Sequence, residues 1–112
     1  TWGVFSDERI KSVDHSFTDG LNVIRHINPV IFHYNSKAPY PVAEAQVGVV
    51  AQELERIAPY MVSRRPFNSF SDLREVNNQA YVFLLINAVK EQENKIEKLE
   101  QEVEALKALI KR

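Results

Sequence analysis

The sequence predicts an α+β domain: a small mixed body with short strands, joined to a long C-terminal helix that assembles in parallel with copies of itself. Three observations carry this. Apolar residues recur at heptad spacing from Val82 to Ile110; short alternating apolar runs bounded by proline and asparagine fill the middle; and apolar residues at helical spacing stand nearer the start.

Taken in order, Phe17, Leu21, Ile24 and Ile27 fall on one helical face, with Ser16 or Thr18 as N-cap, and Pro29 ends that helix. Val30 to Tyr34 alternates Val30, Phe32 and Tyr34 against Ile31 and His33 and reads as a strand, followed by a loop with two prolines from Asn35 to Pro41. A second strand is expected over Gln46 to Val50, a short helix over Gln52 to Ile57 closed by Pro59, and an edge strand over Tyr60 to Val62. The stretch from Ser63 to Asp72 reads as a protruding loop or hairpin, with Phe67 and Phe70 exposed beside Arg64 and Arg65.

The last third sets the architecture. Val82, Val89, Ile96, Val103 and Ile110 occupy heptad position a, and Leu85, Gln92, Leu99 and Leu106 position d, with no slip in register. In a parallel neighbour Lys95 at g faces Glu100 at e, and Glu102 faces Lys107, both attractive pairs. After Lys90 the surface outside the seam is almost wholly polar, and so narrow a seam suits a partner helix better than a globular core. β-Branched residues at a with Leu at d lean towards two strands, while Gln92 leaves the number open between two and three.

Composition narrows the function. With the helix set aside roughly 80 residues remain, marginal for an independent core, so assembly is expected to supply part of the stability. Cysteine is absent, which removes disulfides and Cys-based zinc sites. A formal net charge of -1 gives no electrostatic reason to expect nucleic acid or an anionic membrane. No segment approaches the ~20 apolar residues of a membrane span. Thr1 to Phe5 is no signal peptide and reads as the end of something longer. His15, His26 and His33 lack the short spacings of a zinc site, no metal or cofactor is expected, and the three glycines form no phosphate loop. Asp14, His15 and Ser16 are triad residue types, but three consecutive residues seldom converge on one centre; they read as a turn and cap.

The run Ser6-Asp7-Glu8-Arg9-Ile10-Lys11 reads locally as a helix start, with Ser6 or Asp7 as N-cap. In context it means more. Followed by Gly20-Leu21, by Asn28-Pro29-Val30-Ile31-Phe32-His33-Tyr34, by Gly48-Val49-Val50-Ala51-Gln52-Glu53-Leu54-Glu55 and by a Leu-rich terminal helix, it resembles the C-terminal intramolecular chaperone domains of phage tailspikes, endosialidases, neck appendages and tail fibres. A related domain occurs in the myelin regulatory factor. The resemblance covers nearly the whole chain in order, and its most specific elements are the Ala-Gln-Glu block and the Ser-x4-Lys pair.

That resemblance implies a homotrimer that helps three upstream β-rich chains fold in register and then cuts itself away by a serine-lysine dyad, with Ser6 as nucleophile, Lys11 as general base and Phe5-Ser6 as the scissile bond. Residues 1–5 would be an upstream remnant and 6–112 the chaperone domain, with the coiled coil over 82–112. It would act in the host cytoplasm during phage assembly and be absent from the mature virion. Arg64, Arg65, Phe67 and Phe70 would contact the fibre. The alternative from another functional class is a non-catalytic trimerisation module that stays attached. On a regular element, residues five apart point about 140° apart round a helix or to opposite faces of a strand. For Ser6 and Lys11 to meet, either the chain bends between them or the lysine comes from another protomer.

Overall fold

The computed structural model describes residues 3–40 and 44–112; the first two residues of the expected upstream remnant, and Pro41 of the expected loop, lie outside the described residues. Two antiparallel two-stranded ribbons, two short helices and a long helix that packs chiefly on the first of them give the expected α+β class. The long helix, α3, runs Ala80–Ile110, and the molecule extends 73 Å along its longest axis because most of α3 projects from the body.

The N-terminal helix is shorter than its apolar pattern predicts. α1 is Leu21–Ile24, with Gly20 as its N-cap in a backbone conformation that places no side chain there. A Cβ at Gly20 would stand 2.6 Å from Glu91 Oε1 and 3.1 Å from the backbone of Ala88, so only glycine lets α1 start this close to α3. Neither Ser16 nor Thr18 caps the helix. The Leu21 N–H instead donates to Glu91 Oε2 at 3.0 Å, so α3 supplies the cap. Ile27 lies beyond the helix but still packs on the core.

β1 (Val30–Phe32) pairs with β2 (Gln46–Gly48), Val30 opposite Gly48, and both strands are shorter than expected. The Phe32 ring crosses Gly48 so closely that a Cβ there would stand 2.8 Å from it. α2 is Ala51–Ile57. The expected edge strand at Tyr60 is a 3-10 turn, Pro59–Met61: proline's fixed φ suits the first helical position, and the turn drives Met61 into the core with no exposed surface.

β3 (Val62–Phe67) and β4 (Phe70–Val76) form a hairpin, settling the choice between loop and hairpin. The register shifts between Arg65 and Phe67, where Pro66 has no N–H to give the ladder. Asn68, at φ 51°, makes the turn in a left-handed conformation that asparagine tolerates. Phe67 and Phe70 pair across it and are half-buried, not exposed as the composition of the stretch suggested.

Val23, Leu54, Ala58, Met61 and Leu84 form the buried cluster, drawn from α1, α2, the 3-10 turn and α3, with Tyr81, Ile57 and Val76 packed around it. Such a core is small for the chain it serves. Among the described residues no helix is long and apolar enough to cross a membrane.

Candidate active site

The segment bearing Ser6 and Lys11 is folded by its own side chains. Asp7 caps a 3-10 turn, Glu8–Ile10, accepting from the Arg9 N–H at 2.8 Å. The Arg9 guanidinium closes on the same carboxylate through Nε at 3.0 Å and Nη2 at 2.8 Å. That two-pronged hydrogen bond, with the backbone bond from Arg9, holds the Asp7 carboxyl below its ordinary pKa, and Asp7 in turn raises that of Arg9. The turn closes with the Lys11 N–H on the Glu8 carbonyl at 3.4 Å.

This single turn brings Lys11 Nζ to Ser6 Oγ at 2.7 Å. Within the single chain, a bend is enough to bring the pair together. It also separates two roles the sequence had left overlapping: Asp7 is the cap, and the Ser6 hydroxyl is engaged by Lys11. As an ammonium, Lys11 donates to the hydroxyl oxygen. The same distance serves the reverse transfer, in which a neutral amine accepts the serine proton. Ser6 and Lys11 are exposed in the single chain, as is Phe5 at 93%.

Beyond Lys11 the segment stays exposed until Phe17, where α3 takes hold of it. Asn87 Nδ2 donates to the carbonyls of Phe17 at 2.9 Å and Asp19 at 2.8 Å. Tyr60 donates its hydroxyl to Asp19 Oδ2 at 2.7 Å, and burial, then that bond to a carboxylate, pushes the phenol pKa well up. Phe17 meets Tyr60 edge to face, ring centroids 5.3 Å apart. Sequence reasoning missed Asn87 and Glu91. A polar Asn87 inside the apolar run from Val82 to Val89 was the one signal that pointed to it.

α3 presents two faces. Leu84 and Ala88 are buried, and Asn87 and Glu91 bond to the body; these are heptad positions c, g, f and c. The seam residues Val82, Leu85, Val89, Ile96, Leu99, Val103, Leu106 and Ile110 point away, 47% to 81% exposed, and Gln92 among them is exposed as well.

The expected fibre-contact residues lie on the β3–β4 hairpin. Arg64 pairs with Glu55 of α2 at 3.0 Å, which also takes Arg74 at 3.4 Å, and Arg65 pairs with Glu75 across the ladder. Both arginines thus serve the hairpin's own fold. His15 and Ser16 lie at an exposed turn with Asp14, and among the described residues no group of three His, Asp or Glu side chains is placed to hold a metal ion.

A family model described as chaperone of endosialidase matches residues 6–63, beginning at Ser6. Two similar proteins are the long tail fiber proteins Gp37 of Enterobacteria phages K3 and T2, each 31% identical over 101 residues. The matched region is 88% of this chain and 8% and 7% of theirs, so the chain spans under a tenth of the length of these relatives.

Proposed function

The chain belongs to the chaperone of endosialidase family, and from that premise we propose that it is an intramolecular chaperone which trimerises through α3, aids the folding of an upstream β-rich phage fibre, and releases itself by cutting Phe5-Ser6. It acts in the host cytoplasm during assembly and is absent from the mature virion. The observation that carries the catalytic part is the 2.7 Å contact between Lys11 Nζ and Ser6 Oγ, made by a turn for which Ser6 is not the cap.

The chemistry follows from the positions. Ser6 Oγ attacks the carbonyl carbon of Phe5, the residue before it, while Lys11 as free amine takes the hydroxyl proton. The C–N bond breaks as Lys11 returns that proton to the Ser6 nitrogen, leaving an ester between Phe5 and Ser6 Oγ. Water then hydrolyses the ester to a Phe5 carboxylate and a chain beginning at Ser6. Nucleophile and carbonyl belong to adjacent residues, so orientation supplies much of the rate. A lysine acts as base only where desolvation lowers its pKa from ~10.4. In this reading assembly provides that desolvation, since both dyad side chains are exposed in the single chain.

The chaperone part rests on the open seam and on the fibre relatives. Shared β-structures are rich in non-local contacts, fold slowly and aggregate readily; a trimerising tail raises the effective concentration of the three chains. Removing the tail afterwards leaves a fibre whose durability is kinetic. The hairpin face around Arg64, Arg65, Phe67 and Phe70 contacts the fibre. The second reading, a permanent trimerisation module, draws on the exposure of the dyad.

The test is to express the upstream segment with and without this chain and measure its folded trimer by sedimentation. Loss of trimer on deletion is expected; equal yield would refute the chaperone role. Replacing Phe67 and Phe70 by Ser should lower that yield while α3 still trimerises, and an unchanged yield removes the hairpin contact.

A further inference from the structure

Over its first two heptads α3 carries more apolar surface than a coiled coil uses. Besides the seam residues Val82, Leu85 and Val89, Phe83 and Ile86 at positions b and e are 57% and 45% exposed, whereas from Lys90 onward b and e are Lys or Glu. Phe83 and Ile86 form one wall of a groove of about 690 Å³, and the Phe17–Tyr60 pair and His15 form the other. A partner helix seated on a and d, with e and g at its flanks, reaches Ile86 but leaves the side of the groove at Phe83, His15 and Phe17 uncovered. An apolar segment lying beside the partner helix would cover it.

The chain supplies one such segment. Val4, Phe5, Ile10 and Val13 are 68% to 93% exposed on the arm that precedes Ser16, and the single chain buries none of them. We propose that this arm docks on the groove beside Phe83 and Ile86 of a neighbouring copy, so that each protomer covers the next. The inference rests on the parallel assembly proposed above. Continuity with the seam places the groove where a neighbour already lies, and the attractive pairs Lys95–Glu100 and Glu102–Lys107 favour that parallel neighbour.

Reach permits it. Ser16 stands six positions on from Ile10, at most about 20–22 Å of chain, while packed helix axes stand about 8–10 Å apart. Docking also gives the dyad a second wall. Ser6 follows Phe5 and Lys11 follows Ile10 on the arm, so a neighbour that takes Phe5 and Ile10 draws both away from bulk water. A large apolar patch is thereby closed by a partner of identical sequence, with no further protein needed.

The absence of cysteine makes the test direct. Two full chains of different tagged length, each with Ser6→Ala, are co-expressed, one with Ile10→Cys and the other with Phe83→Cys. Both positions are exposed, so neither change touches the core. Under oxidation the disulfide between the two chains should form at least tenfold faster than with Val47→Cys, an equally accessible position on β2. Leu99→Cys on both chains reports the seam independently. Equal rates at Phe83→Cys and Val47→Cys, with the Leu99→Cys bond formed, would overturn the docking and leave the coiled coil standing. Failure of the Leu99→Cys bond would refute the parallel assembly, and the docking with it.

Discussion

Lys11 Nζ donates to Ser6 Oγ at 2.7 Å within one chain, across a turn that Asp7 caps and Arg9 clamps. If this pair is the proposed dyad, it travels with its own protomer. Mixed trimers of Ser6→Ala and Lys11→Ala chains, each joined to its upstream segment, should therefore stay uncut, because neither chain holds both groups. Recovery of partial cleavage in the mixture, read by intact mass, would show the lysine acting between chains. Lys11→Arg should also fail, since a guanidinium keeps its proton.

The two faces of α3 should respond differently to substitution. Leu84 is fully buried, and Leu84→Ala should cost the fold about 2–5 kcal/mol, seen as a lower urea midpoint. Leu99 lies beyond the body with its side chain 58% exposed. Leu99→Asp should leave the body folded by circular dichroism and disperse the proposed trimer in light scattering, through charge placed in an apolar layer. An oligomer unchanged by Leu99→Asp would mean the seam is not the interface.

Gly20 fits where no side chain can. Gly20→Ala places a Cβ among Glu91, Asn87 and the Ala88 backbone, and should cost about 1–3 kcal/mol through overpacking. Thermal unfolding checks it. A melting temperature equal to the parent's would show that α1 and α3 separate at no cost.

The sequence carried the long helix because a heptad repeat is a property of spacing alone, and Val82 to Ile110 keeps it without slip. It did not carry the face that binds the body, because Asn87 and Glu91 act there through hydrogen bonds to backbone groups of Phe17, Asp19 and Leu21, which apolar periodicity cannot register. α1 was overextended for a related reason: Phe17 and Ile27 do pack, but from turns on either side of a one-turn helix. The dyad shows the opposite case. Spacing on regular elements argued against a contact between Ser6 and Lys11, and the capping signal at Asp7, legible in the sequence, marked the turn that makes it.

Glu55 joins α2 to both hairpin strands through Arg64 and Arg74. The Arg64 hydrogen bond first, with smaller help from Arg74, holds its carboxyl below the ordinary value near 4.5. A carboxylate with a depressed folded pKa stabilises the fold above the unfolded value and loses that contribution as pH falls through the lowered one. Urea midpoints of the parent should therefore decline as pH falls below about 4.5, and Glu55→Gln should show a shallower decline over the same window. Parallel curves for the two proteins would remove Glu55 from the account.

The most direct measurement is the intact mass of this chain joined to its natural upstream segment. The account predicts two fragments, the second beginning at Ser6, and a single uncut chain in both Ser6→Ala and Lys11→Ala, each still a folded trimer. A parent that assembles as a trimer and remains uncut, or a Lys11→Ala variant that cuts at the parental rate, would contradict it.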